Sequence, residues 1–130
     1  MAQGYSTNGN VVITGTVDDG NSTSTPLNSA AVFTGTAREA SAYSTVLISC
    51  YTDQIGTLQV QLSTDGVNWD STLPSTVAAN TNEVHRYVIS KKYYRVVFTN
   101  TSASNQTYIR LQSILESSAA YFLYKFYYSV

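Results

Sequence analysis

Gly56-Thr57-Leu58-Gln59-Val60-Gln61-Leu62-Ser63 is the stretch that decides the fold. Leu58, Val60 and Leu62 alternate with the polar residues Thr57, Gln59, Gln61 and Ser63, a strict period of two. Successive side chains of a strand point to opposite faces, so this pattern suits a strand with one side buried and one in water. A helix would scatter the same residues around its surface. The expected core partners are Val46, Ile48, Val96, Phe98, Ile109 and Leu111, apolar positions in the neighbouring segments.

Working outward, the rest of the chain reads as more short strands divided by turn residues. Strands are predicted over residues 11–17, 32–36, 45–51, 67–72, 83–90, 93–100 and 107–115. Turns are expected at Asp18-Asp19-Gly20-Asn21, Asp53–Gly56, Asp65-Gly66 and Asn80–Asn82, where Gly, Asn and Asp tolerate or stabilise tight backbone. Residues 45–51 and Gly56–Ser63 are predicted to pair as a hairpin across the Asp53–Gly56 turn. Ser and Thr make up 34 of the 130 residues and Tyr another 11, a composition suited to pleated, half-solvated surfaces. The expectation is an all-β protein, an antiparallel sandwich of seven to eight strands with jelly-roll-like connections.

Three segments are distinguished. Residues 1–10 are polar and contain Gly, as in a flexible or docking arm; residues 11–118 form the sandwich. Residues 119–130, AAYFLYKFYYSV, crowd Tyr121, Phe122, Tyr124, Phe126, Tyr127 and Tyr128 together, so both faces of a regular element there would be aromatic. Left in water they would form an apolar patch that monomers rarely carry. Burial against a neighbouring subunit is expected, with a last strand inside the same sandwich as the alternative. Residues 1–20 show neither a basic n-region nor an apolar h-region, and no apolar run reaches the ~20 residues of a membrane span. The protein is expected to be made and kept in a cytoplasm, at least until assembly or lysis, without membrane contact.

Little in the chain suits catalysis. His85 and Cys50 are single residues of their kinds, which leaves no His/Cys metal set and one conceivable Cys–His pair. Cys50 is expected to be a small buried hydrophobe. Asp65 and Asp70 could pair as carboxylates, but Asp65-Gly66 reads first as a turn. Asp18, Asp19 and Asn21 could hold Ca²⁺ through oxygens, or could be turn residues only. No enzymatic activity, metal or cofactor is expected. Charged residues make up 12% of the chain and the net charge is −1, a weakly charged surface that associates readily. Residues 1–84 hold seven acids and one base, whereas residues 85–130 hold six bases and one acid. The stretch RYVISKKYYRVVF at 86–98 is basic and aromatic, but no nucleic-acid fold signature accompanies it, and nucleic acid is not an expected partner.

NSTSTPL at 21–27, VFTGTARE at 32–39, TDQIGTL at 52–58, LSTDGVNWDSTL at 62–73, NEVHRYVISKKYYRVVFTN at 82–100 and QTYIRLQ at 106–112 together resemble a β-rich module of tailed-bacteriophage virion proteins. The resemblance implies a structural or adhesion part of a capsid surface, fibre or tail, without catalytic residues. The reading is therefore a non-enzymatic virion component that assembles with itself, as a trimer or a larger lattice or fibre, and with other virion proteins. The alternative is a carbohydrate-binding adhesion module that stacks host-surface glycans on Trp69, Tyr87 and Tyr93.

Overall fold

A computed structural model describes residues 15–117. The strands are β1 (Thr16–Val17), β2 (Val32–Thr34), β3 (Arg38–Glu39), β4 (Tyr43–Thr52), β5 (Gly56–Ser63), β6 (Ser71–Val77), β7 (Glu83–Val88), β8 (Tyr93–Asn100) and β9 (Ile109–Ser117). They form two antiparallel sheets, β1-β9-β4-β7 and β2-β8-β5-β6, with β3 adding to β8 beside β2. Apart from β3, the chain changes sheet at every connection except β5–β6. That is jelly-roll connectivity. The all-β sandwich expectation holds, and the ninth strand is the two-residue β3.

The core lies between the sheets. Leu58, Val60 and Leu62 of β5 are buried against Val46, Ile48 and Cys50 of β4, Val96 and Phe98 of β8, and Ile109, Leu111 and Leu115 of β9. The predicted inward set is the observed one. Thr57, Gln59 and Gln61 of β5 face outward, where Gln61 pairs with Arg95 and Gln59 with Val97 in the β5–β8 register, whereas Ser63 at the strand end is buried.

The predicted hairpin between residues 45–51 and Gly56–Ser63 does not form. β4 lies in one sheet beside β9 and β7, whereas β5 lies in the other between β8 and β6. Both strands turn an apolar face to the same core, and periodicity cannot tell a turn within a sheet from a corner across the sandwich. The corner is fixed from outside by the Asp53 carboxylate, which accepts the backbone N–H groups of Thr107 and Tyr108 at 3.0 to 3.3 Å. The strand predicted at 67–72 also moves, to Ser71–Val77. Asp65 Oδ1 accepts the N–H groups of Val67 and Asn68 and so bends that stretch into a turn, with Gly66 at φ +80°. Pro74 is accommodated because β6 is an edge strand.

A buried polar cluster joins the sheets where β1 ends. The chain leaves β1 through a 3₁₀ turn, Asp19–Asn21, and returns at Thr23, which bridges Leu111 of β9. Asp18 Oδ2 accepts the Tyr94 hydroxyl at 2.5 Å and the Asn21 amide at 2.9 Å, and Arg38 approaches Oδ1 at 3.4 Å. Asn21 donates to the Thr36 carbonyl at 2.8 Å and accepts the Val96 N–H at 2.7 Å. Its side chain fills the space of a side chain at Gly35, where an added Cβ would lie 2.0 Å from Asn21 Oδ1.

Leu62 is only 1% exposed, so truncation leaves a cavity. Leu62→Ala is expected to lower unfolding free energy by about 2–5 kcal/mol in urea titrations. An unchanged midpoint would mean that this face of β5 is not in the core.

Candidate functional site

Among the described residues, the three proposed from sequence for glycan stacking, Trp69, Tyr87 and Tyr93, are not gathered in one place. Tyr121, Phe122, Tyr124, Phe126, Tyr127 and Tyr128 lie outside the described residues. Tyr87 does not fit its expected role: it is 9% exposed and belongs to the core, with its hydroxyl donating to Ser75 Oγ at 2.7 Å across the sandwich. The ring points inward because Val46 and Ile48 of β4 lie opposite Tyr87 and His85, so the alternate side of β7 faces water. A buried ring offers no face to a sugar.

Trp69 and Tyr93 do share a surface, the outer side of the β8–β5 region. Both are half-buried. The Arg95 guanidinium lies 4.2 Å from the Trp69 ring centroid and its Nε donates to Gln61 Oε1 at 2.7 Å. Tyr93 packs beside Gly66, with Lys92 Nζ 5.6 Å from its ring centroid. Cation–π contact therefore already engages the tryptophan.

Several of the groups weighed for chemistry are engaged within the scaffold. Cys50 is buried, and desolvation, with the Glu83 charge adding to it, pushes its thiol up to about 12. His85 Nε2 lies 2.9 Å from Glu83 Oε1, and the other Glu83 oxygen accepts the Ala78 N–H at 2.7 Å. Asp65 accepts from the backbone of Asn68 and Val67 and from the side chains of Asn68 and Ser63, which holds its carboxyl well below the carboxylate range. Asp18 and Asn21 are occupied in the buried cluster, where an amide N–H rather than a lone pair faces Asp18. Among the described residues no group of three acidic, His or Cys side chains could hold a metal.

Sequence reasoning missed the outer face of the β1-β9-β4-β7 sheet. A row crosses all four strands through Val17, Ile114, Leu47 and Arg86, each opposite the next in register. Val84 and Val88 flank Arg86 on edge strand β7 and are 56% and 66% exposed; Val17 is 46% exposed. The signal was present, since Val84 and Val88 alternate with Tyr87 and Ile89, which makes both sides of β7 apolar. Glu116 sits at one margin, where it accepts both Arg86 Nε at 2.8 Å and Thr45 Oγ1 at 2.7 Å.

Residues 6–116 match the family model of the N-terminal domain of uncharacterised protein YqxG. The chain belongs to that family. No curated protein matches this YqxG-type domain. Among solved structures, the PBSX exported protein XepA superposes with a TM-score of 0.68 at 24% identity, over 74% of this chain and 36% of XepA. The chain thus spans little more than a third of XepA's length, and the likeness shows the fold. Drosophila melanogaster CENP-C bound to CAL1 (TM-score 0.37, 7% identity, 77% of this chain and 66% of that one) superposes too loosely to carry an argument. The same holds for CapF from Staphylococcus aureus (0.36, 15%, 85% and 30%). In the described residues no helix is long and apolar enough to cross a membrane.

Four carboxyls of the domain are held below their ordinary values: Asp53, against desolvation, by the Thr107 and Tyr108 N–H groups, Asp65 by the Asn68 N–H, Glu83 by the Ala78 N–H and Glu116 by Arg86. Groups with depressed folded values bind protons more readily in the unfolded chain. Their contribution is complete above the unfolded values near ~4 and is lost as pH falls through the folded ones. Urea midpoints are expected to stay level from roughly pH 7 to 5 and to drop steadily below about pH 4. A midpoint that did not move in acid would contradict these hydrogen bonds.

Proposed function

We propose that the chain is a non-enzymatic structural component of a phage particle, a small sandwich that decorates a head, fibre or tail through protein–protein contacts, including contacts with its own copies. The observation that carries this reading is the apolar outer face of the β1-β9-β4-β7 sheet, with Val88 66%, Val84 56% and Val17 46% exposed. Adjoining apolar side chains on a half-solvated sheet favour removal from water, and a surface with few charges does little to oppose association. The β7 edge adds backbone groups that could pair with another strand. Tyr121, Phe122, Tyr124, Phe126, Tyr127 and Tyr128 are proposed as a second subunit contact.

Two similarities support the phage setting. The motifs at 21–112 resemble a virion module, and the fold is shared with the PBSX exported protein XepA. The polar outer side of the other sheet, with Thr57, Gln59 and Thr76 on adjacent strands, suits exposure on a particle.

Sedimentation of the full chain is expected to show an oligomer, and Val84→Asp combined with Val88→Asp to shift it towards monomer while the circular dichroism spectrum stays that of a β-sandwich. A wild-type chain that remained monomeric at every accessible concentration would overturn the self-association.

A further inference from the structure

We propose that the groove between β9 and the Asp19–Ser24 segment binds a carboxylate-bearing saccharide, with Arg110 as the anion contact. This inference does not rest on the assembly reading, because it concerns a different kind of ligand; Val17 lines both the groove and the apolar row.

The groove follows from the buried cluster. Asp18 and Asn21 draw the chain inward after β1, and it rejoins the sheet edge only at the Thr23–Leu111 bridge. The detour leaves an open groove of about 450 Å³ whose polar walls include Asp19, Ser22, Thr23, Ser24, Arg110 and Gln112. Two of the hydroxyls are already engaged: Ser22 Oγ donates to the Asp18 carbonyl and accepts the Ser113 N–H, and Thr23 Oγ1 accepts the Thr25 N–H. The side chains of Asp19, Ser24 and Gln112 remain as exposed polar groups along the groove that Arg110 also lines.

Arg110 differs from the other three arginines. Arg38 meets the Asp18 carboxylate, Arg86 the Glu116 carboxylate, and Arg95 the Gln61 amide. Arg110 has no carboxylate partner among the described residues. Its guanidinium instead lies 5.7 Å from the Tyr51 ring centroid and 5.1 Å from that of Tyr108. The two rings are 5.4 Å apart, and the Tyr108 hydroxyl is tied to Asn80 Oδ1 at 3.0 Å. Stacking restrains a planar fork without neutralising it, and its N–H edge, unpaired among the described residues, matches the two oxygens of a carboxylate.

The remaining groups select the rest of the ligand. The Gln112 amide and Ser24 hydroxyl can donate and accept, and the Asp19 carboxylate accepts from hydroxyls, so the walls suit a polyhydroxylated ring. A neutral sugar would leave the guanidinium unmatched, whereas a uronic acid satisfies both parts of the site.

The test is calorimetry on the full chain at about 0.15 M salt, where exposed charges are screened beyond ~8 Å, with trigalacturonate as probe and maltotriose, triglutamate and inorganic phosphate as comparators. Trigalacturonate is expected to bind and maltotriose to bind at least tenfold more weakly. Arg110→Gln should weaken trigalacturonate binding at least tenfold, and Arg110→Lys should fail to restore it, because an ammonium does not pair with both oxygens. Arg110 is exposed, so neither variant is expected to disturb the fold, and circular dichroism checks this directly. Equal binding of maltotriose, undiminished binding by Arg110→Gln, or no trigalacturonate binding at millimolar concentration would overturn the proposal. Triglutamate or phosphate binding as tightly as trigalacturonate would also overturn it, leaving a general anion site.

Discussion

The sandwich depends on the buried contact between Asp18, Asn21 and Tyr94. Asp18 is 4% exposed and Asn21 fully buried, a costly placement for a carboxylate and an amide unless each is matched. The match comes from both sheets: the Asp18 N–H donates to Ser113 of β9, and its carboxylate accepts from Tyr94 of β8. Asn21 then replaces a strand neighbour for the Val96 N–H. Burial, and next the Asp18 carboxylate, push the Tyr94 hydroxyl far above its ordinary value, so it remains a donor. Removal of one member would strand the others, the usual reason that such networks set a register firmly.

The motifs behind the virion-module resemblance are largely scaffold residues of this kind. Asn21 and Gly35 belong to the cluster just described. Asn100 is buried and binds the Leu27 and Ser104 carbonyls and the Ser102 N–H, closing two loops at once. Gln106 Oε1 accepts the Leu27 N–H, and Asp53 holds the start of β9. Shared motifs of this sort carry a fold faithfully and leave the outward side chains free to differ, so the resemblance points to an architecture rather than to a ligand.

Alternation made the inward faces of β4, β5, β8 and β9 legible, because period two has one meaning in a strand. It could not assign strands to sheets, which is why the Asp53–Gly56 corner read as a hairpin. It also failed at β7, where apolar residues occupy both sides and Tyr87 looked as available as Val88. Trp69, expected as an exposed ring, is half-buried beneath Arg95, a partner 26 positions away and invisible to local reading. The charge imbalance along the chain proves not to be an imbalance across the molecule. β8 and β9, from the basic half, lie between strands of the acidic half in their respective sheets.

On the proposed reading, recognition by this domain resides on its outer faces while its motifs hold the scaffold. Electron cryo-microscopy of particles produced with the chain tests it most directly. The account predicts density for the sandwich on the particle, with Val84 and Val88 of β7 packed against a neighbouring subunit. Particles that lack the chain, or that leave this face of the β1-β9-β4-β7 sheet in open solvent, would contradict it.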